Sequence, residues 1–357
     1  MIIQTHTLKQ DILPFPAEAF PTDALFFDIE TTGLSHRTSH LYLVGAIYKK
    51  NEEFLLTQWF LQRPSEEKQL LEEFAELLKE FSSVIHYNGQ SFDIPYLQDR
   101  CAHWQLPDPF SDDSGIRSTD LYRELRPMKQ LFSLSSMKQK DMETFLCCHR
   151  QDQFSGKELI QVYHTYLQTA GEEELKLLLL HNHDDLLGML PIYQLYIFLK
   201  TLKEKPLQPS LRLQQNLLIL EAHTELPCPA MLKITREDLS LSIKENRILV
   251  TLQGYQGCFR HYYSNYRDYF YLPLEDTAIH KSVGIYVDPS CREKARADTC
   301  YTKKEGLFFF QPTPLFLPDF RQDRRKGPSF FLAEQPQQNP ELLPLYLQEL
   351  LLFILHR

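Results

Sequence analysis

Apolar and polar positions in this chain alternate in some stretches and recur at helical spacing in others, and the two patterns predict its elements. Leu25–Thr31 reads as a buried strand entered through Leu25, Phe26 and Phe27. Phe26, Asp28 and Glu30 share one face of it, because successive strand side chains point to opposite sides. His40–Tyr48 and Phe54–Phe60 follow as strands, joined by a polar turn at Lys49-Lys50-Asn51. Over Ser65–Phe81 the residues Leu70, Leu71, Phe74, Leu77, Leu78 and Phe81 recur at helical spacing, with Ser65 as cap and Glu66 and Glu67 in the first turn. Ser83–Tyr87 reads as a short strand, Asn88-Gly89 as a turn and Asp93–His103 as a helix. A strand near Ile116–Leu121 precedes a helical stretch to about Lys200. This order predicts an α/β domain, a mixed sheet flanked by helices.

The pattern changes at Lys203–Ser210, a charged segment with two prolines. It places a boundary between a domain of residues 1–205 and a second of residues 206–357. Past a short helix over Leu211–Leu220, Leu239–Leu252 reads as a hairpin turning at Glu245-Asn246. Cys258–Leu272 is crowded with Tyr262, Tyr263, Tyr266, Tyr269 and Tyr271. The second domain is therefore smaller and β-rich, of α+β type. Pro340–His356 ends it as an apolar helix that must dock on its own domain or on a protein partner.

Composition narrows the class. At 357 residues the chain can bury a sizeable core. Polar Gln4, Thr5 and His6 after Met1 do not resemble a secretory leader. The longest apolar runs, Leu177–Leu180 and Leu350–Leu355, fall far short of the ~20 residues of a membrane span. A cytoplasmic protein with no membrane association is expected. Seven scattered cysteines without a Cys-x-x-Cys pair argue against a zinc site and for reduced thiols. The net charge of −9 divides into −11 over residues 1–200 and +2 over the remainder. An acidic first half suits carboxylates gathered around cations, and it is also common in soluble proteins.

Three acidic segments carry the chemistry: FFDIETTGL with Asp28 and Glu30, HYNGQSFDIPYL with Asp93, and HNHDDLLGM with Asp185. Residues i and i+2 of a strand can offer oxygens to one point, and hard cations such as Mg²⁺ or Mn²⁺ select carboxylate oxygen. Two such ions about 3.5–4 Å apart can activate water and stabilise the leaving oxygen of a phosphodiester. Asp28 and Glu30 stand at the inner end of an apolar strand, where two like charges without a counter-ion are costly. His181 and Asp185 share a helix face at i, i+4, and such a histidine can accept a proton near neutral pH. Taken singly, Asp93 also fits an N-cap carboxylate, and His181 with Asp185 a solvated face.

Together the segments resemble the DnaQ-like, or DEDD, 3′–5′ exonucleases of the ribonuclease H-like superfamily, and among them the bacterial YprB-like ribonuclease H-like domain proteins. The likeness covers roughly residues 22–200, with Thr31, Thr32, Gly33, Leu34, Asn88 and Phe92 part of the matching motifs. It implies that Asp28, Glu30, Asp93 and Asp185 hold two Mg²⁺ or Mn²⁺ ions, with His181 as general base. It also implies that Thr31, Gly33, Leu34, Asn88 and Phe92 contact substrate at a single-stranded nucleic-acid end. His181 stands at the spacing where one branch of the family has tyrosine, and His183 and Asp184 leave Asp184 as an alternative to Asp185.

Arg117, Arg123, Arg126, Lys129, Lys138 and Lys140 could meet phosphates or form an ordinary surface. Arg260, His261, Tyr262, Tyr263, Tyr266, Arg267, Tyr269 and Tyr271 suit base stacking, and equally a sheet core with amphipathic tyrosines. Two rivals to the nuclease stand: a catalytically silent nucleic-acid-binding or scaffold protein, and a hydrolase of small phosphoesters. The presence of every expected acidic ligand disfavours the first.

Overall fold

A computed structural model describes residues 1–10, 13–14, 20–236, 238–323 and 325–355. The chain divides into two compact units, Met1–Phe198 and Leu199–Arg357. The first unit ends within the helix Glu172–Glu204.

The first unit is built on a six-stranded mixed sheet. Its strands are β1 (Ile2–Leu8), β2 (Ala24–Thr31), β3 (Leu41–Lys50), β4 (Glu53–Phe60), β5 (Ser83–His86) and β6 (Arg117–Asp120), in the order β1-β4-β3-β2-β5-β6. β1 to β4 pair antiparallel, while β5 runs parallel to β2 and to β6. β1 lacks a clear period in the sequence and was not foreseen. The β3–β4 turn falls at Asn51 and Glu52, both at positive φ, and not at Lys49-Lys50, which extend β3.

Alternation along β2 assigns its two faces. Leu25, Phe27 and Ile29 join Leu70, Leu71, Phe74 and Leu78 of α1 (Glu67–Leu78) in one buried cluster. Phe26, Asp28 and Glu30 face the other way, toward the long helix. Ser65 does not cap α1. The Glu66 carboxylate instead accepts the backbone N–H groups of Gln62 and Arg63 at 2.9 and 3.3 Å. Glu67, expected in an ordinary first turn, is buried. It accepts from Leu41 N, Trp104 Nε1 and the Arg100 guanidinium, tying α1 to β3 and to α2 (Asp93–His103).

The helical stretch after β6 comprises α3 (Leu121–Leu125), α4 (Lys129–Phe132), α5 (Gln139–Phe145), α6 (Gly156–Thr169) and α7 (Glu172–Glu204). α6 and α7 close the second sheet face through Leu159, Tyr163, Tyr166, Leu178 and Leu179 against Tyr42, Leu43 and Phe60. Among the described residues no helix is long and apolar enough to cross a membrane. All seven cysteines are free.

The second unit is β-rich, as expected. The helix expected over Leu211–Leu220 is instead β7 (Ser210–Gln214) and β8 (Leu217–His223), turning at Gln215 with positive φ. Its leucines fit either period, and pairing of β8 with β11 (Arg247–Gln253) decides for strand. β9 (Leu232–Arg236) and β10 (Leu239–Lys244) complete a five-stranded sheet, and the β10–β11 hairpin turns where the sequence placed it. Tyr263, Tyr266, Tyr269 and Tyr271 pack around Ala278, Ala295 and Cys300, and the Arg260 guanidinium lies 4.7 Å from the Tyr301 ring centre. They build a satellite core. The final helix spans Leu343–Leu355, and Arg324 and His356 lie outside the described residues.

Candidate active site

Three elements deliver the four carboxylates. β2 presents Asp28 and Glu30 on its α7-facing side, α2 begins at Asp93, and α7 carries His181 and Asp185 one turn apart. A register shift between Glu30 and Thr31 marks a bulge where β2 leaves β3, a device that re-aims side chains at a sheet's end. Asp93 is the first residue of its helix and no N-cap. Its Oδ1 accepts the Ile29 N–H at 3.3 Å, placing it between the two β2 carboxylates in sequence.

The cluster is crowded and almost dry. Burial pushes the Asp28 carboxyl well above its usual range, and Asp185, Glu30 and Asp93 add repulsion. Glu30 is raised likewise, by burial first and then by Asp185 and Asp93. Asp93 is pushed up to about 7, mainly by burial. Three neutralising contacts are present. Asn182 Nδ2 donates to Asp28 Oδ2 at 2.9 Å, the Tyr42 hydroxyl lies 3.5 Å from Glu30 Oε2, and Arg150 Nη1 lies 2.6 Å from Asp185 Oδ1.

His181 Nε2 lies 3.3 Å from Asp185 Oδ2 and 3.5 Å from Glu30 Oε1. One atom from each of these three residues falls within 4.8 Å of the others, close enough to share an ion. Half-buried carboxylate oxygens crowded together, the Glu30 carboxyl raised by burial and by its acidic neighbours, fit a hard divalent cation, which would relieve the repulsion. The structure puts Asp185 in this cluster and turns Asp184 away. Asp184 Oδ2 accepts the backbone N–H groups of Gln151 and Asp152 at 2.7 and 2.8 Å.

Asp120 is engaged by backbone N–H groups. Its Oδ1 accepts from Asn88, Tyr122 and Arg123 N–H groups and its Oδ2 from Gln90, so it caps α3 and holds the loop before Asp93. Asn88 adopts a left-handed φ of 63° there. Buried His86, its pKa lowered to about 4 by desolvation, accepts the Gly89 N–H at 3.0 Å. Phe92 is half-buried beside Tyr96.

After β2, Thr31 Oγ1 donates to the Gly33 carbonyl, and Leu34 is 88% exposed, an apolar side chain held in solvent beside the carboxylates' strand. Among the candidate phosphate contacts, Arg117 pairs with Asp23, Lys140 with Asp152, and Lys129 with the Ser135 carbonyl. Arg123 lies 3.4 Å from Ser91 Oγ, on the Asp93 side.

Sequence reasoning missed Arg150, Asp152, Glu143 and Asn182. Arg150 bonds Glu143, Asp152 and Asp185 together, and its segment has no period to reveal it. Asn182 did have a signal. Gly45 interrupts the apolar run of β3 directly opposite Asp28, and glycine in a strand often marks a close approach. A Cβ at Gly45 would lie 2.0 Å from Asn182 Oδ1 and 2.6 Å from Leu186 Cδ1. Asn182 is fully buried and is also held by Gln58 Nε2 at 2.8 Å, so it cannot simply swing aside. Gly45→Ala is expected to cost about 1–3 kcal/mol by overpacking. A denaturant melt checks this, and an unchanged midpoint would contradict the close packing.

Residues 25–197 match the family model RNase_H_2, of the RNase H superfamily. No curated protein matches the chain. Among solved structures, the family B DNA polymerase of the archaeon Pyrobaculum calidifontis is 14% identical with a TM-score of 0.38, over 70% of this chain and 35% of that one. Exonuclease I from Methylocaldum szegediense is 13% identical with a TM-score of 0.31, over 55% and 53% of the two chains. Exonuclease I of E. coli, in complex with an oligonucleotide, is 13% identical with a TM-score of 0.31, over 56% and 54%. The chain thus spans from about a third to about half of the length of these proteins, and likenesses so faint say nothing of its activity. The mixed sheet with its flanking helices agrees with that match, which covers just under half of the chain: residues 25–197 have a ribonuclease H-like fold.

Proposed function

We propose that the chain is a metal-dependent nuclease, a 3′–5′ exonuclease acting on single-stranded ends of DNA or RNA. The observation that supports this best is the crowding of Asp28, Glu30, Asp93 and Asp185, whose burial and mutual repulsion call for cationic charge. In this reading Asp28, Glu30, Asp93 and Asp185 would hold two Mg²⁺ or Mn²⁺ ions. Such ions, when bound, acidify water and offset charge on the phosphoryl and leaving oxygens. His181 takes the proton of the attacking water at Nε2, the ring atom nearest Asp185 and Glu30. Thr31, Gly33, Leu34, Asn88 and Phe92 receive the terminal nucleotide. Leu34 has the exposure such a contact needs.

One observation favours the silent, binding-only rival: Arg150 already pairs with Asp185. It neutralises one carboxylate of four, so the cluster keeps most of its unmet charge. A panel of labelled single- and double-stranded DNA and RNA, with Mg²⁺, Mn²⁺ or chelator, separates the readings. The expected result is stepwise shortening from the 3′ end that chelator stops. Tight binding without any metal-dependent product would favour the rival, and preferential hydrolysis of a mononucleotide ester would point to a small-phosphoester hydrolase.

A further inference from the structure

The connection between α5 and α6 passes beside the cluster and is pinned there. Asp184 accepts its backbone at Gln151 and Asp152, one residue away from Asp185 on α7. The Asp152 side chain is itself fixed, its Oδ1 accepting the Phe154 N–H at 3.0 Å. The other oxygen, Oδ2, stands 2.6 Å from His181 Nδ1. Lys140 Nζ at 3.3 Å and Arg150 Nη2 at 3.4 Å face the same oxygen. A carboxylate flanked by two cations stays ionised and only accepts hydrogen bonds. Nδ1 must therefore carry a hydrogen, since two lone pairs facing each other at that distance would repel. That leaves Nε2, on the far side of the ring, toward Asp185 and Glu30.

We infer that Asp152 is a positioning residue: it accepts the His181 Nδ1–H and so fixes the ring with Nε2 turned to the carboxylate cluster. The catalytic consequence rests on the nuclease reading above, whereas the Nδ1–H contact itself does not. A carboxylate behind a histidine commonly fixes both ring orientation and tautomer. The alternative is that Asp152 merely anchors the loop. In that case its charge would be dispensable while its volume and hydrogen bonds to the backbone would not.

Two measurements decide. In ¹⁵N-histidine-labelled protein with Mg²⁺ at pH 8.5 and no nucleic acid, His181 resonances are identified by their loss in His181→Asn. They should report hydrogen on Nδ1. An Nδ1 without hydrogen overturns the inference. Second, Asp152→Asn keeps the shape and the Phe154 contact but removes the charge. Its kcat for oligonucleotide cleavage should fall about 10²-fold or more with KM within about twofold, and Asp152→Glu should recover part of the loss. An unchanged kcat in folded Asp152→Asn overturns the inference. If that variant does not fold, the wild-type spectrum decides alone. Should wild-type protein cleave nothing, the nuclease reading fails while the spectrum still tests the Nδ1–H contact.

Discussion

Asp28→Ala protein is expected to lose metal-dependent cleavage of oligonucleotides by about 10⁴-fold or more, the scale seen when one member of a cooperating catalytic set is removed. Asp28 stands on the strand face turned to α7, is half-buried, and feels the charges of Glu30, Asp93 and Asp185 together. In the proposed reading its loss removes one of the metal ligands. The fold should survive, because Asp28 donates nothing to the sheet beyond its backbone, and among the described residues its side chain bonds only Asn182. The isosteric Asp28→Asn should leave the metal-free protein as stable as wild type or more so, since one repelling charge is gone. Matched assays with Mn²⁺ on single-stranded DNA and RNA test this. If Asp28→Ala degraded them as fast as wild type, the metal-site assignment would be wrong.

The second large effect concerns stability, pH and ions. Asp28, Glu30 and Asp93 have folded-state pKa values above their ordinary ones, with Asp93 at about 7. Such groups bind more protons in the folded than in the unfolded protein. The stability they contribute is complete below about pH 4 and drains away as pH rises through their folded values. Metal-free protein should therefore weaken between about pH 4 and 8, on the order of 2–4 kcal/mol for the cluster as a whole. His86, held neutral by burial with a pKa of about 4, works the opposite way between about pH 4 and 6.5. The window from pH 6.5 to 8.5 is thus the cleanest. Melting in chelator should show a midpoint falling across it. Mn²⁺ should raise the midpoint more at pH 8.5 than at pH 5, because ions compete with protons for the same oxygens. A midpoint that is flat in chelator, or an ion effect equal at both pH values, would refute this account.

How much of this could be read from the residues depends on whether the deciding interaction is local. The faces of β2 were legible, since strict alternation puts Asp28 and Glu30 on one side whatever the sheet looks like. α2 was legible to its ends, with a turn before it and a regular period within it. The i, i+4 pairing of His181 with Asp185 followed from helix geometry alone. The choice between Asp184 and Asp185 did not, because it turns on where the Gln151-Asp152 backbone comes to rest. Glu67 looked like a surface residue of a first helical turn, and only the arrival of Arg100 and Trp104 from α2 makes it a buried acceptor. Arg150 and Asp152 were invisible for the same reason: they lie in a segment without hydrophobic rhythm, and the α7 residues they meet, Asp185 and His181, are 35 and 29 residues away. In the second unit, leucines between Leu211 and Leu220 satisfied both a helix and a hairpin, and cross-strand pairing settled the matter.

The near-contact of Gly45 with Asn182 also has a kinetic side. With no room for a methyl group between them, α7 and β3, the strand paired with β2 at Asp28, cannot move apart and together independently. Gathering like charges therefore loses its conformational entropy once, as the chain folds, and not again at every encounter with ion or strand. A turnover cycle on such a preorganised frame needs no induced fit along this seam, so any motion that limits its rate must arise in other segments.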